Sequence, residues 1–315
     1  MHTGPSSVFI TGATGFIGKH LSLALLGQEI GVRAMIRPGK ETDDRLPPGC
    51  GQVPVGLTDV DTLAGIVAES RAVIYCAGSV RGRNFTDFSV ANIDGVKAMV
   101  RALDTLSKPP PLLLLSSLAA SRPHLSDYAR SKCEGEQVLH SRDRLSWTVL
   151  RPPAVYGPGD REMLPLLRMA RRGLLVHAGP RDQRLSLLHV GDLAGAMLAW
   201  LAAVPKCLHR TFAIDDGKTG GYDWAAIGEA AGAGKFRMLK APRLMLDTVA
   251  GINLLFSSVL GYAPMLTPGK VRELVQPDWL CDNSNFTTAT GWKPELELSR
   301  GIQQLFDTTN KHCPH

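Results

Sequence analysis

Short apolar, β-branched runs alternate along this chain with stripes of helical period. Val8-Phe9-Ile10 has strand character, and behind it Ile17, Leu21, Leu25 and Leu26 recur at helical spacing. Further runs predict strands at 32–36, 53–57, 72–76 and 112–115, another at 148–150, and a returning one at 212–214. Leu112-Leu113-Leu114-Leu115 is apolar at every position, the pattern of a strand buried on both faces. Later, Leu244-Met245-Leu246, Val249, Ile252, Leu254-Leu255-Phe256 and Val259-Leu260 form one unusually apolar stretch. Asp247 and Asn253 interrupt it and leave it short of a membrane span. An ordinary core helix is the expectation, with a greasy substrate lid or an interfacial helix as alternatives.

Between the first strand and the first helix lies Thr11-Gly12-Ala13-Thr14-Gly15-Phe16-Ile17-Gly18. Gly12 permits a tight turn, Gly15 lets backbone amides approach a pyrophosphate, and Gly18 lets helix pack on strand. The helix N-terminus then faces the phosphates, which predicts dinucleotide binding. The second strand ends at Arg37-Pro38-Gly39-Lys40, beside the expected adenosine ribose. A carboxylate there would bind both ribose hydroxyls, whereas guanidinium matches a 2′-phosphate. Arg37 and Lys40 therefore favour NADP(H) over NAD(H), the alternative being a solvated loop arginine with NAD bound.

The strand at 112–115 delivers Ser116-Ser117 at its C-terminal end, where open parallel sheets bind ligands. Tyr128-Ala129-Arg130-Ser131-Lys132 follows, and four residues apart on a helix the phenol and the ammonium share a face. A phenol titrates near about 10 in solution. A neighbouring ammonium, with the positive nicotinamide of the oxidised complex, favours phenolate and lowers that value, so Tyr128 could exchange a proton while the cofactor exchanges a hydride. Lys132 would also hold the nicotinamide ribose.

The N-terminal turn, the strand-end serine pair and the Tyr-x-x-x-Lys helix together resemble the extended and atypical branches of the short-chain dehydrogenase/reductase superfamily. The resemblance spans essentially the whole chain. It implies an α/β fold, a doubly wound parallel Rossmann sheet with a smaller, mainly helical C-terminal lobe. Residues 1–160 would form the dinucleotide-binding domain, 186–214 would return to it, and 161–315 would build the substrate lobe. In cofactor binding it implicates Gly12, Thr14, Gly15, Phe16, Ile17 and Gly18, the small turn Ala77-Gly78, Tyr128, Lys132, Pro152, and backbone at Ala154 and Val155. It makes Ser117 the catalytic, substrate-holding serine, with Ser116 second. Asn92-Ile93-Asp94-Gly95 resembles the family's N-x-x-G at a helix start, where the asparagine orders a proton-relay water; an N-cap or a buried structural amide is the alternative. Arg184 resembles the arginine that holds a diphosphate in sugar-nucleotide enzymes, or it pairs with a carboxylate. His189 and Asp192 are expected to fix a strand-to-helix turn.

Departures narrow the chemistry. Gly56 stands where the family usually has an adenine-reading Asp, and Asp59 or Asp61 could substitute or cap the next helix. Leu118-Ala119 replaces the dehydratase Asp-Glu pair, and the connection from serine to tyrosine is short. These features imply interconversion of a ketone and a secondary alcohol on a hydrophobic substrate, steroid-like or a long-chain keto-lipid of sphingoid type. Two other readings stand beside it: a sugar-nucleotide 4-epimerase retaining NAD, and a non-catalytic cofactor-binding assembly protein.

Composition changes the picture little. The chain has 315 residues, a 44% apolar share and a formal charge of +6. That charge suits an anionic cofactor or a membrane surface, and no Lys/Arg run resembles a nucleic-acid tract. Six scattered cysteines have no metal-site or disulfide-framework spacing, so no metal is expected. The first strand begins within a few residues, leaving no room for a signal peptide. A cytoplasmic protein is expected, a homodimer being open, with peripheral membrane contact through 244–262 as an option.

Overall fold

The computed structural model describes residues 6–39, 42–232 and 234–310. Its strands are β1 (Ser7–Thr11), β2 (Gly31–Ile36), β3 (Gly51–Pro54), β4 (Ala72–Tyr75), β5 (Leu112–Leu115), β6 (Trp147–Arg151), β7 (Ala154–Tyr156), β8 (Leu174–His177), β9 (Arg184–Leu185), β10 (Leu187–His189), β11 (Arg210–Ala213), β12 (Arg237–Lys240) and β13 (Asp278–Trp279). Seven of them make one parallel sheet in the order β11-β6-β5-β4-β1-β2-β3. The order reverses at β1, which puts the glycine turn at the switch point of a doubly wound fold.

The helices are α1 (Phe16–Gly27), α2 (Val60–Ala68), α3 (Phe85–Ser89), α4 (Gly95–Asp104), α5 (Asp127–His140), α6 (Leu164–Arg171) and α7 (Val190–Ala202). After them come α8 (Val204–Cys207), α9 (Trp224–Ala230), α10 (Arg243–Leu260), α11 (Pro268–Leu274), α12 (Ser284–Thr290) and α13 (Leu298–Asn310). The period of two in the strands decides which helices each face meets. Val8, Ile10, Leu113 and Leu150 pack with Leu21 and Leu25 of α1 and Met197 and Trp200 of α7. Phe9, Val73, Leu114 and Val149 point the other way, onto Leu63 of α2, Met99 of α4 and Leu139 of α5. A third cluster gathers Tyr156, Leu175, Leu187, Trp224, Ile302 and Leu305 around the short two-stranded sheets β10-β7 and β12-β8.

Three expectations need correcting. The third strand runs Gly51–Pro54 rather than 53–57, because Gly51 already pairs with Arg33 of β2 and the ladder beyond Pro54 keeps only the bond from Val55 N to Ile36 O. Asn92 does not open a helix: it lies in a π-helical turn, Val90–Asp94, that joins α3 to α4 without a break. And α10 is no core helix. Its apolar side chains Leu244, Ile252, Leu255, Phe256 and Leu260 are half or more exposed, while Ala250 and Ser257 form the buried side.

Candidate active site

The turn after β1 is held by backbone crowding. Gly12 has φ +70°, and a Cβ there would sit 2.7 Å from the amide nitrogen of Ala77. A Cβ on Gly18 would lie 2.7 Å from Ala13 Cα and collide with Gly12 O. Gly15 differs: its φ of −80° suits any residue, and its Cβ would meet only Gly12 O, at 3.2 Å. Gly15 is the N-cap of α1, with no side chain capping it. Its first-turn amides are therefore left for an anion, and the open side of Gly15 is where a pyrophosphate fits. Thr14, Phe16 and Ile17 are half-buried along the same turn. The hydrogen bond between His20 Nε2 and Pro158 O, at 2.7 Å, closes the loop after β7 over α1.

At the adenosine end, Arg37 is exposed just past β2. Lys40 lies outside the described residues. Asp59 caps α2, its Oδ1 accepting from Thr62 N at 3.2 Å, and Asp61 lies in that helix's first turn.

The reactive cluster lies past the ends of β4 and β5. Thr11 Oγ1 accepts from Ala77 N at 3.1 Å, holding the ends of β1 and β4 together. A Cβ on Gly78 would fall 3.0 Å from Asn92 Oδ1 and 3.3 Å from Lys132 Nζ, so this turn passes directly over the site floor. Asn92 is buried and its amide is committed: Nδ2 donates to Ser79 O at 3.1 Å and to Ser131 Oγ at 2.9 Å, while Oδ1 accepts from Ser79 N at 3.1 Å. It clamps the Gly78-Ser79 turn to α5, as a buried structural amide does.

The two serines separate cleanly. Ser116 is buried and donates to Glu136, which also takes the Arg151 guanidinium through Nε at 3.0 Å and Nη2 at 2.5 Å. Ser117 instead caps a short 3-10 turn, Leu118–Ser121, accepting from Ala119 N at 3.2 Å, and of the two serines it is the one whose hydroxyl favours the Tyr128 phenolate. Lys132, one helical turn beyond Tyr128, donates from Nζ to Leu115 O at 2.9 Å. Burial drops Lys132 to about 8, against the opposing pull of Cys76 and Glu136.

Burial pushes Tyr128 up rather than down. The Ser117 hydrogen bond and the Lys270 charge pull it back, and the Glu273 charge raises it further. The expected lowering by an ammonium is thus outweighed by desolvation, and the lysine charge that reaches the phenol comes from α11. Glu273 is buried there, accepts from Ser126 Oγ, and pairs with Lys270 Nζ at 3.0 Å. Ser126 in turn caps α5, accepting from Ala129 N at 2.9 Å, so α11 and the tyrosine helix are tied at one point. No motif marks Lys270 or Glu273, which lie more than 140 residues from Tyr128. Glu136 was legible, since it continues the Tyr128–Lys132 stripe by four residues.

The remaining expected residues lie at the margins. Pro152 O accepts from Leu118 N at 2.8 Å, setting β7 with Ala154 and Val155 against the serine turn. Arg184 stays outside the cluster and pairs with Asp223 at 3.5 Å, the carboxylate alternative. His189 Nδ1 accepts from Gly191 N at 3.1 Å and fixes the β10-to-α7 turn as expected, whereas Asp192 accepts from Glu295 N and Leu296 N, each at 3.1 Å, and so ties the start of α7 to the segment before α13 instead of fixing that turn.

Comparison with known proteins agrees with this geometry. The sequence model of the NAD dependent epimerase/dehydratase family matches residues 8–212. A ceramide reductase of Caulobacter vibrioides is 31% identical over 95% of this chain and 93% of its own. A UDP-glucose 4-epimerase of Vibrio cholerae is 24% identical over 95% and 94%. Among solved structures, the UDP-glucose 4-epimerase of Thermotoga maritima with UDP-glucose superposes with a TM-score of 0.73 at 18% identity, covering 97% of this chain and 99% of that one. At that identity the likeness is one of fold.

Proposed function

The chain belongs to the NAD dependent epimerase/dehydratase family, and from that premise we propose that it reduces the ketone of a long-chain lipid, ceramide-like or sphingoid, to a secondary alcohol with NADP(H). The family binds nicotinamide dinucleotides, and the chain is an NAD(P)-dependent enzyme of the extended short-chain dehydrogenase/reductase type. The observation that carries the finer reading is the Ser117 hydroxyl acting on a Tyr128 phenol that burial holds in its neutral form, with Lys132 anchored one helical turn beyond.

The cofactor supplies the hydride that adds to the carbonyl carbon. The chain does the rest. Ser117 holds the ketone oxygen. Tyr128, protonated at neutral pH because burial raises it, donates the proton that turns that oxygen into a hydroxyl. Lys132, anchored on Leu115 O beneath Gly78, holds the nicotinamide ribose. The uncapped amides of α1 take the pyrophosphate, and Arg37 takes the 2′-phosphate of NADPH. A lipid substrate is supported by the ceramide reductase likeness along the whole chain and by the largely apolar connection from Leu118 to Ala120 after the serine.

The test follows NADPH and NADH consumption with micellar long-chain ketones, beside UDP-glucose as competitor. Turnover of the keto-lipid with NADPH, and loss of the NADPH preference in Arg37→Glu, are expected. Protein that retains NAD through purification and turns over UDP-glucose alone would overturn the reading in favour of the 4-epimerase.

A further inference from the structure

Helix α10 is amphipathic the wrong way round for a helix in water. At 100° per residue, Leu244, Met245, Val249, Ile252, Leu255, Phe256 and Leu260 fall on one stripe less than half the circumference wide, and each is 48% to 80% exposed. The opposite side carries the buried Ala250 and Ser257. The one hydroxyl on the outward stripe, Thr248, donates to Leu244 O at 2.8 Å, so it presents no unsatisfied polar group. The one carboxylate of the helix, Asp247, lies off the stripe and is paired with Arg243 at 3.5 Å.

The flank of this stripe is basic. Between Glu229 and the start of α11 the sequence has a single carboxylate, Asp247, against Lys235, Arg237, Lys240 and Arg243. Lys235, Arg237, Lys240 and Arg243 are exposed on β12 and at the start of α10, beside the exposed Leu239. Arg237 N bonds to Gly173 O at 2.9 Å, which brings the exposed Arg171-Arg172 pair to the same edge. An apolar stripe about 24 Å long with exposed cations at its N-terminal end matches the chemistry of an anionic bilayer surface, where apolar side chains enter the acyl boundary and lysines and arginines meet the headgroups. No helix among the described residues is long and apolar enough to cross a membrane, so the contact lies in the interface plane.

We propose that α10 and the basic strand β12 dock this protein on the surface of an anionic phospholipid bilayer. The docked helix packs against α11, and Asn253 Nδ2 donates to Leu266 O, just ahead of that helix, at 3.0 Å. Since α11 carries the Lys270 and Glu273 that face Tyr128, docking sets the reactive cluster one helix layer from the lipid. The docking itself stands on surface chemistry and does not depend on which ketone is reduced.

Sedimentation of the full chain with vesicles tests this, comparing phosphatidylcholine alone with phosphatidylcholine containing one third phosphatidylglycerol. Binding is expected to the anionic vesicles only, weakening roughly tenfold or more between low and high salt. Leu255→Glu with Phe256→Glu should abolish it, and Lys240→Glu with Arg243→Glu should remove its salt-dependent part. Both variants should keep the wild-type melting temperature and NADPH affinity, since every position changed is exposed. An Ile252→Trp reporter should shift its emission to the blue on anionic vesicles. Wild-type protein that stays in the supernatant with both vesicle types would overturn the proposal. So would a wild-type dimer by light scattering that Leu255→Glu with Phe256→Glu turns into a monomer without any vesicle binding, since the stripe would then belong to a second copy of the chain.

Discussion

Replacing Gly18 and Gly15 by alanine should change this protein in opposite ways, although the two glycines stand three residues apart in one turn. A Cβ at Gly18 has no room: it would collide with Gly12 O and lie 2.7 Å from Ala13 Cα and 2.9 Å from Gly12 C. These are backbone atoms of the turn itself, so α1 must move off β1, and forcing a methyl into packed backbone costs about 1–3 kcal/mol. For a chain of this size that lowers the melting temperature by about 1.5 °C per kcal/mol. At Gly15 the backbone is compatible with alanine, and the closest contact is 3.2 Å. The reduced freedom of the unfolded chain contributes about 0.4–1 kcal/mol in favour of alanine, and the poorer N-cap costs a similar amount, so the fold should be unchanged within about 0.5 kcal/mol. What Gly15→Ala should lose is affinity: its methyl projects into the open side of the turn, and NADPH binding should weaken by roughly tenfold or more as the amides are held off the phosphate. Thermal melts of the two proteins without cofactor, with fluorescence titration of NADPH, give both readouts. A Gly18→Ala protein that melts with the wild type, or a Gly15→Ala protein as destabilised as Gly18→Ala, would refute the assignment of one glycine to packing and the other to the ligand.

Three further outcomes follow from the cluster. Tyr128→Phe should lower kcat for ketone reduction by roughly 10²–10⁴-fold while leaving NADPH affinity within about twofold, as loss of a proton donor requires; single-turnover kinetics separate the two. Lys132 is depressed from 10.5 to about 8, so between those values the unfolded chain binds the proton that the native state has released, and stability rises with pH. Relative to Lys132→Met, in which the buried cysteines titrate alike, the wild type should gain about 2 kcal/mol from pH 8 to about 9.5 in urea unfolding, and parallel profiles would contradict the assignment. Glu136→Gln leaves Ser116 and the half-buried Arg151 without a charged acceptor and should cost about 2–3 kcal/mol, read as a lower urea midpoint at constant m value.

The parts of this protein that the chain announces locally are those whose physics is local. A buried strand must be apolar at both parities, so Leu112–Leu115 was legible, and a tight strand-to-helix turn with the helix packed against it needs glycine at set positions, so Gly12 and Gly18 were too. Tyr128 and Lys132 follow from helical spacing. Ser117 was separated from Ser116 only by resemblance, whereas the structure separates them by surroundings, Ser116 being buried on Glu136 and Ser117 capping the turn at Leu118. The charge acting on Tyr128 was misread because it depends on which distant helix docks on α5, and no spacing encodes the approach of Lys270. The same holds for α10: a run of leucines and methionines carries no label for core or surface until the neighbouring elements are in place.

The position of β11 constrains how this chain can be cut. It forms the outer edge of the large sheet, yet about 50 residues separate it from β7. The intervening α7 sends Trp200 Nε1 back to Thr148 Oγ1 at 2.9 Å, and the same hydroxyl bonds to Cys207 O at 2.8 Å. Cleavage near residue 160 therefore does not release a self-sufficient half. It strips β6 of its neighbour, exposes the hydrogen-bonding edge from Trp147 to Arg151, and leaves a template on which another copy could pair. A reporter or tag inserted into this protein belongs at an exposed tip such as Lys218-Thr219-Gly220, and fragment complementation should reassemble the sheet only when the second piece carries Arg210–Ala213.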